Sequence, residues 1–208
     1  MTVQTIINTI RHAHTSYNAE RRYSGSIDIS LNEKGEQDSR LAAEKLTDSK
    51  FDIVVTSTLK RSIETARILI GDKETTIVHN RLCIERNFGV FEGKTWDEVQ
   101  NIQPPVLFIN VGNDLHSVNP KNGEPFEEVW ARAQKFRKFL FRKYPGNNIL
   151  VVSHGVFLQM FHGVLRGLSC IESLATFPAN LELATFTFSG SRLINEKIVG
   201  LATEYFKF

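Results

Sequence analysis

At 208 residues, with 41% hydrophobic and 23% charged side chains, the chain is long enough for one sizeable core and too ordinary in composition for a disordered or low-complexity protein. Its 25 basic and 23 acidic residues are spread along the sequence for a formal charge of +2, so neither nucleic acid nor an anionic membrane is an expected partner. Cys83 and Cys170 have neither the density of a disulfide framework nor metal-knuckle spacing. Thr5, Asn8, Thr9 and Arg11 interrupt the apolar N-terminal run, so the expected location is the cytoplasm.

Val3 to Ile10 is a β-prone run that the polar stretch from Arg11 ends abruptly. Asn32 is placed to cap a helix reaching about Leu46, with Leu41, Ala42, Lys45 and Leu46 on one stripe and Gly35 as a weak point. Asp52 to Ser57 reads as a short buried strand, and Lys60 to Ile70 as a helix stopped by Gly71. Thr75 to Val78 gives a further strand. Arg81 to Thr95 is too rich in polar residues and glycine for a regular element and reads as a functional loop.

Residues 94–124, with Pro104-Pro105, Gly112, Pro120 and Gly123 around an apolar patch from Val106 to Val111, suggest a lid or insertion. Phe126 to Tyr144 carries Val129, Trp130, Ala133, Phe136, Phe139 and Leu140 at helical spacing, as core packing. Ile149 to Ser153 is a buried strand running into a helix from Val156 to Leu165 across His154-Gly155. Leu183 to Phe188 and Leu193 to Val199 flank a turn at Ser189 to Arg192 and form a hairpin at a sheet edge. This alternation predicts a single α/β domain over residues 1–208, with a mostly parallel sheet covered on both faces. Ligands of such sheets sit at the carboxyl ends of the strands.

Three segments fall at such ends. Arg11-His12 closes the first strand, followed by Thr15 and Asn18. Ser57 to Ala66 puts Arg61 in the first turn of a helix, where a cation is disfavoured unless an anion lies between it and the helix dipole. Ser153-His154-Gly155 puts a histidine and a glycine where backbone N–H groups can face an oxyanion. Singly, an Arg-His dipeptide is more often a surface pair than a catalytic centre, and Arg61 and His154 are equally compatible with a solvated arginine and a satisfied core histidine.

Together with the loop, they resemble the histidine phosphatase superfamily, which includes cofactor-dependent phosphoglycerate mutases, broad phosphatases and fructose bisphosphatases. The family's Arg-His-Gly-x-Thr resembles Arg11 to Thr15, and its Ser-x-x-x-Arg-x-x-x-Thr-Ala resembles Ser57 to Ala66. Its acid segment resembles Glu85 to Gly93, and its late Ser-His-Gly resembles Ser153 to Gly155, in the same order over nearly the whole chain. The resemblance implies a phosphoglycerate mutase-like, three-layer α/β/α sandwich. It also implies a metal-independent phosphomonoesterase that needs no cofactor.

It further implies the roles. Arg11, Arg61 and His154 would neutralise the phosphate oxygens, His12 would attack in line to form a phosphohistidine, and Glu85 would protonate the leaving alkoxide and later activate water. Asn18, Ser24, Gly25, Arg86 and Gly155 would bind substrate, with Arg22 and Tyr23 at the entrance. A neutral His12 and a protonated Glu85 imply a bell-shaped pH profile. The expected partner is a small phosphorylated metabolite, and homodimerisation is left open.

Two residues depart from the pattern. Ala13 stands at the glycine place, where a positive φ would strain it, and His14 replaces a usual acidic or polar residue. A metal site at His12 and His14 is not expected, because no cage of histidines and carboxylates surrounds them in sequence. A mutase must hold a second anion, and residues 94–124 have few cations, which favours the phosphatase; Arg86, at a mutase substrate position, keeps the mutase as the alternative. A non-catalytic phospholigand-binding module is the remaining alternative.

Overall fold

A computed structural model describes residues 3–112, 114–118 and 120–202. The chain opens with β1 (Gln4–Arg11) and the single turn α1 (Ser16–Ala19), then α2 (Glu33–Lys45), β2 (Ile53–Thr56), α3 (Lys60–Ile70) and β3 (Thr76–His79). The expected functional loop contains only two 3-10 turns, Arg81–Cys83 and Gly89–Phe91. It leads to α4 (Trp96–Gln100), β4 (Phe108–Val111) and β5 (Asp114–Ser117), then α5 (Phe126–Lys143), β6 (Asn148–Ser153), α6 (Gly155–Arg166) and α7 (Cys170–Ser173), and finally β7 (Glu182–Ser189) and β8 (Arg192–Gly200).

The main sheet has the order β3-β2-β6-β1-β7-β8, parallel through its first four strands, with β7 and β8 added antiparallel at one edge. Its strands β2 and β6 are apolar on both sides, and that dictates three layers. In β6, Ile149 and Val151 join the larger cluster with Phe136, Leu140, Phe157 and Phe161 of α5 and α6. The alternate residues Leu150 and Val152 join Ala42, Leu46, Ala66 and Leu69 of α2 and α3 on the other face. Among the described residues no helix is long and apolar enough to cross a membrane.

Local chemistry explains the helix ends. The Asn32 side chain accepts the Gly35 N–H at 2.8 Å, and Glu33 and Glu36 complement the dipole of α2. Gly35 is required rather than weakening: a Cβ there would lie 2.1 Å from the His14 carbonyl oxygen, so the glycine lets α2 pack directly on the loop after β1. The segment expected as a lid, 94–124, contains α4 and the β4–β5 hairpin; Asn113 and Asn119 lie outside the described residues.

Candidate active site

The register of the sheet brings distant residues to one level. Arg11 pairs with Ser153 across β1 and β6, and Thr56 pairs with Val152 across β2 and β6, so the segments following all three strands emerge side by side. The His12 N–H continues the ladder to the Ser153 carbonyl at 2.9 Å. Arg11, His12, Arg61 and Glu85 line one cleft of about 310 Å³, and His154 lies buried behind them with its ring centroid 5.2 Å from that of His12.

His12 is held by its own backbone. Nδ1 lies 2.7 Å from the Ala13 carbonyl oxygen, which can only accept, so Nδ1 carries the ring hydrogen and Nε2 keeps its lone pair. Burial, followed by the charges of Arg61 and Arg11, holds the imidazole well below its ordinary value of 6.5, and it is neutral at physiological pH. Ala13 is not among the non-glycine residues with positive φ, which are Arg21, Asn122 and Leu181 in the described chain. Its methyl is buried with Ala42 and Ala66 on the α2–α3 face, so the substitution of the glycine place carries no backbone strain.

Both arginines are buried cations. Arg61 sits in the first turn of α3, where its Nη1 and Nη2 donate to the carbonyls of Ile27 and Gly25, each at 2.8 Å, while Nε has no partner among the described residues. Arg11 donates from Nη1 to the Pro178 carbonyl at 3.1 Å and stacks 5.1 Å over the Phe177 ring. Burial pulls both down to about 10, against the raising effect of Glu85, so both stay charged at neutral pH. Two buried guanidiniums facing one carboxylate leave an excess of positive charge that suits a phosphate dianion.

Glu85 supplies the cap that α6 lacks in its own sequence. His154, at the N-cap position, makes no side-chain cap bond. Instead, Glu85 accepts the N–H groups of Val156 at 3.2 Å, Phe157 at 3.0 Å and Arg86 at 2.8 Å. Arg132 of α5 donates to the carbonyls of Leu82 and Ile84 and pairs with Glu124, fixing the segment that carries Glu85. The Ser57 hydroxyl, which accepts the Leu59 N–H, lies 2.6 Å from His154 Nε2. When it donates there, the ring hydrogen of His154 is on Nδ1, which is buried without a partner among the described residues.

The other expected residues separate. Asn18, Ser24 and Gly25 line the cleft. Asn18 Oδ1 is occupied by the backbone and hydroxyl of Thr15, which leaves its amide nitrogen for a ligand. Gly25 has φ +49°, and a Cβ there would lie 2.1 Å from Glu92 Oε1. Arg22 and Tyr23 line the cleft too, Arg22 half-buried and Tyr23 buried in the core cluster rather than standing at an entrance. Gly155 is not among the cleft-lining residues; a Cβ there would meet the Phe177 ring at 2.4 Å, so this glycine makes room for the ring that covers Arg11. His14 lies outside the lining as well. Arg86 lines the cleft, but its guanidinium donates to the carbonyls of Glu124, Ser117 and Val118 at 2.7–2.9 Å and rests 3.8 Å over Phe126. It fastens the β4–β5 hairpin.

The sequence profile of the histidine phosphatase superfamily (branch 1) matches residues 7–198. The chain belongs to this superfamily. It is 32% identical over 164 residues to phosphoglycerate mutase-like protein 4 of Arabidopsis thaliana, covering 78% of this chain and 68% of that protein. It is 30% identical to the phosphatase PhoE of Bacillus subtilis over 79% of this chain and 78% of the relative. The solved structure of Bacillus stearothermophilus YhfR superimposes with a TM-score of 0.77 at 25% identity, covering 91% of this chain and 94% of that one. In this histidine phosphatase the four motifs read from the sequence therefore sit on a fold shared by the superfamily.

Sequence reasoning missed Arg132, Phe177 and the hairpin residues Asp114, His116 and Ser117. Phe177 and Arg132 look like ordinary core and surface residues in sequence. The hairpin residues come to the cleft through pairing that no local pattern announces. Ser57 was visible as a motif residue without a role.

Proposed function

We propose that the chain is a phosphomonoesterase acting on small phosphorylated metabolites through a phosphohistidine on His12. The observation that carries this is the fixed tautomer of His12: Nδ1–H held by the Ala13 carbonyl at 2.7 Å leaves a neutral, nucleophilic Nε2 between two buried arginines. The ester's dianion binds Arg11 and Arg61, with the Nδ1–H of His154 and the Asn18 amide as neutral donors. Nε2 attacks phosphorus as the bond to the ester oxygen breaks, and the proton on Glu85 passes to the departing alkoxide. Glu85 then takes a proton from water, the water oxygen bonds to phosphorus, and the N–P bond breaks to release inorganic phosphate.

The hydrolytic outcome is favoured over transfer to a second phosphorylated substrate by Arg86. A mutase would use that position to grip substrate, whereas here the carbonyls of Ser117, Val118 and Glu124 take three of its five N–H groups. The test is phosphate release from an aryl phosphate by wild type and His12→Ala. Turnover by wild type and its loss in the variant are expected, and equal turnover by the two would remove His12 as the nucleophile.

A further inference from the structure

Beyond the phosphate pocket the cleft changes character. Its wall is aromatic: Tyr23 stacks on Trp96 with centroids 6.1 Å apart and planes at 14°, and Tyr23 meets Phe88 edge-on at 5.0 Å. Phe126 completes this wall beneath the Arg86 guanidinium. The opposite side is the β4–β5 hairpin, which contributes Asp114 and His116. His116 Nε2 lies 3.0 Å from the Leu174 carbonyl and so donates to it; burial first, with Arg86 also acting, holds its ring below the ordinary 6.5 and therefore neutral.

Three arginines also line the cleft. Arg86 keeps its charge but turns three of its five N–H groups to carbonyls. Arg22 bonds Glu20 and the Gly93 carbonyl and lies 3.5 Å from Glu98. Arg21 is at the exposed rim, where solvent and salt screen it. Asp114 adds a carboxylate to this wall, which repels a second anion.

We propose that this half of the cleft takes an uncharged aromatic or apolar leaving group, so the preferred substrates are phosphomonoesters of such alcohols that carry no second anionic group. The proposal rests on the phosphatase reading above. Desolvation of the ring against Trp96 and Tyr23 supplies the selectivity, and Asp114 supplies the rejection.

The test compares three primary alkyl esters of matched leaving chemistry: 2-phenylethyl phosphate, glycerol 3-phosphate and 3-phosphoglycerate. For wild type, kcat/KM is expected to be about tenfold or more higher for 2-phenylethyl phosphate than for 3-phosphoglycerate. Trp96→Leu should lower kcat/KM for 2-phenylethyl phosphate several-fold more than for glycerol 3-phosphate. Asp114→Asn should narrow the discrimination against 3-phosphoglycerate, and Arg21→Ala should leave the ranking unchanged. Equal or better turnover of 3-phosphoglycerate by wild type, or equal losses on all three esters in Trp96→Leu, would overturn the proposal. The same three esters are titrated calorimetrically into His12→Ala, which needs no turnover. If wild type hydrolyses none of them, the phosphatase reading fails, and the binding order then decides the leaving-group pocket alone: tightest binding of 2-phenylethyl phosphate supports it, and tightest binding of 3-phosphoglycerate overturns it.

Discussion

Lowering the pH from 7.5 to 5.5 should destabilise this protein steeply, because His12, His154 and His162 are all buried in neutral form. Burial is the largest cause in each case; Arg61 and Arg11 add to it at His12 and His154, and His162 is taken to about 3 beside Thr9 Oγ1 at 2.7 Å. A histidine whose folded-state value is depressed binds fewer protons folded than unfolded. Its contribution is intact above the unfolded value of 6.5 and is lost as pH falls from there towards the folded value. Between pH 7.5 and 5.5 His162, whose folded value lies near 3, removes about 1.4 kcal/mol, and the other depressed histidines act in the same direction against the 5–15 kcal/mol of an ordinary domain. The window lies above most carboxylate titration. Urea unfolding followed by circular dichroism at pH 7.5, 6.5 and 5.5 measures the loss, and calorimetry in buffers of different ionisation heat detects the net uptake of protons on unfolding at pH 5.5. His162→Gln, which keeps a polar partner for Thr9, should reduce the pH dependence by about 1.4 kcal/mol over this range. Stability equal at the two extremes, or unaltered pH dependence in His162→Gln, would refute the reasoning.

Other perturbations separate positioning from chemistry. Glu85→Gln should retain the fold, because an amide oxygen still accepts an α6 N–H, and lower kcat by about 10²–10⁴-fold, read by single-turnover hydrolysis of an alkyl phosphate whose leaving group needs a proton. Ser57→Ala frees His154 Nε2 from the contact at 2.6 Å and should raise KM more than it changes kcat; Ser57→Thr should restore the wild-type split. Arg86→Met should leave the phosphate pocket in place while speeding amide hydrogen exchange through Asp114–Ser117, since the bonds to the Ser117 and Val118 carbonyls are lost.

Much of the frame was legible because its causes are local. The uninterrupted apolar run of β6, the Asn32 cap and the Gly71 stop follow from rules that act within a few residues, and the structure places helices α2 and α3 within a residue or two of the expected limits. Strand ends then located the chemistry, because parallel strands in register deliver Arg11, Ser57 and Ser153 to one edge. What escaped was supplied from a distance. α6 is capped by a carboxylate far earlier in the chain, and Gly35 and Gly155 are explained only by the carbonyl and the ring that approach them. The β4–β5 hairpin pairs four residues a side with mixed polarity, too short a pattern to read. Arg86 illustrates the limit most clearly: position in a motif suggests a substrate ligand, and only its three carbonyl partners reveal a fastener.

The central claim is that phosphoryl transfer passes through His12 Nε2. Wild type mixed with a ³²P-labelled phosphomonoester, quenched in alkali within milliseconds and digested, should yield one labelled peptide containing His12, stable to base and labile to acid as a phosphoramidate is. Glu85→Gln should prolong that label, and His12→Ala should abolish it. Hydrolysis by wild type at full rate with no label on His12 at any quench time, or with label on another residue, would contradict the account.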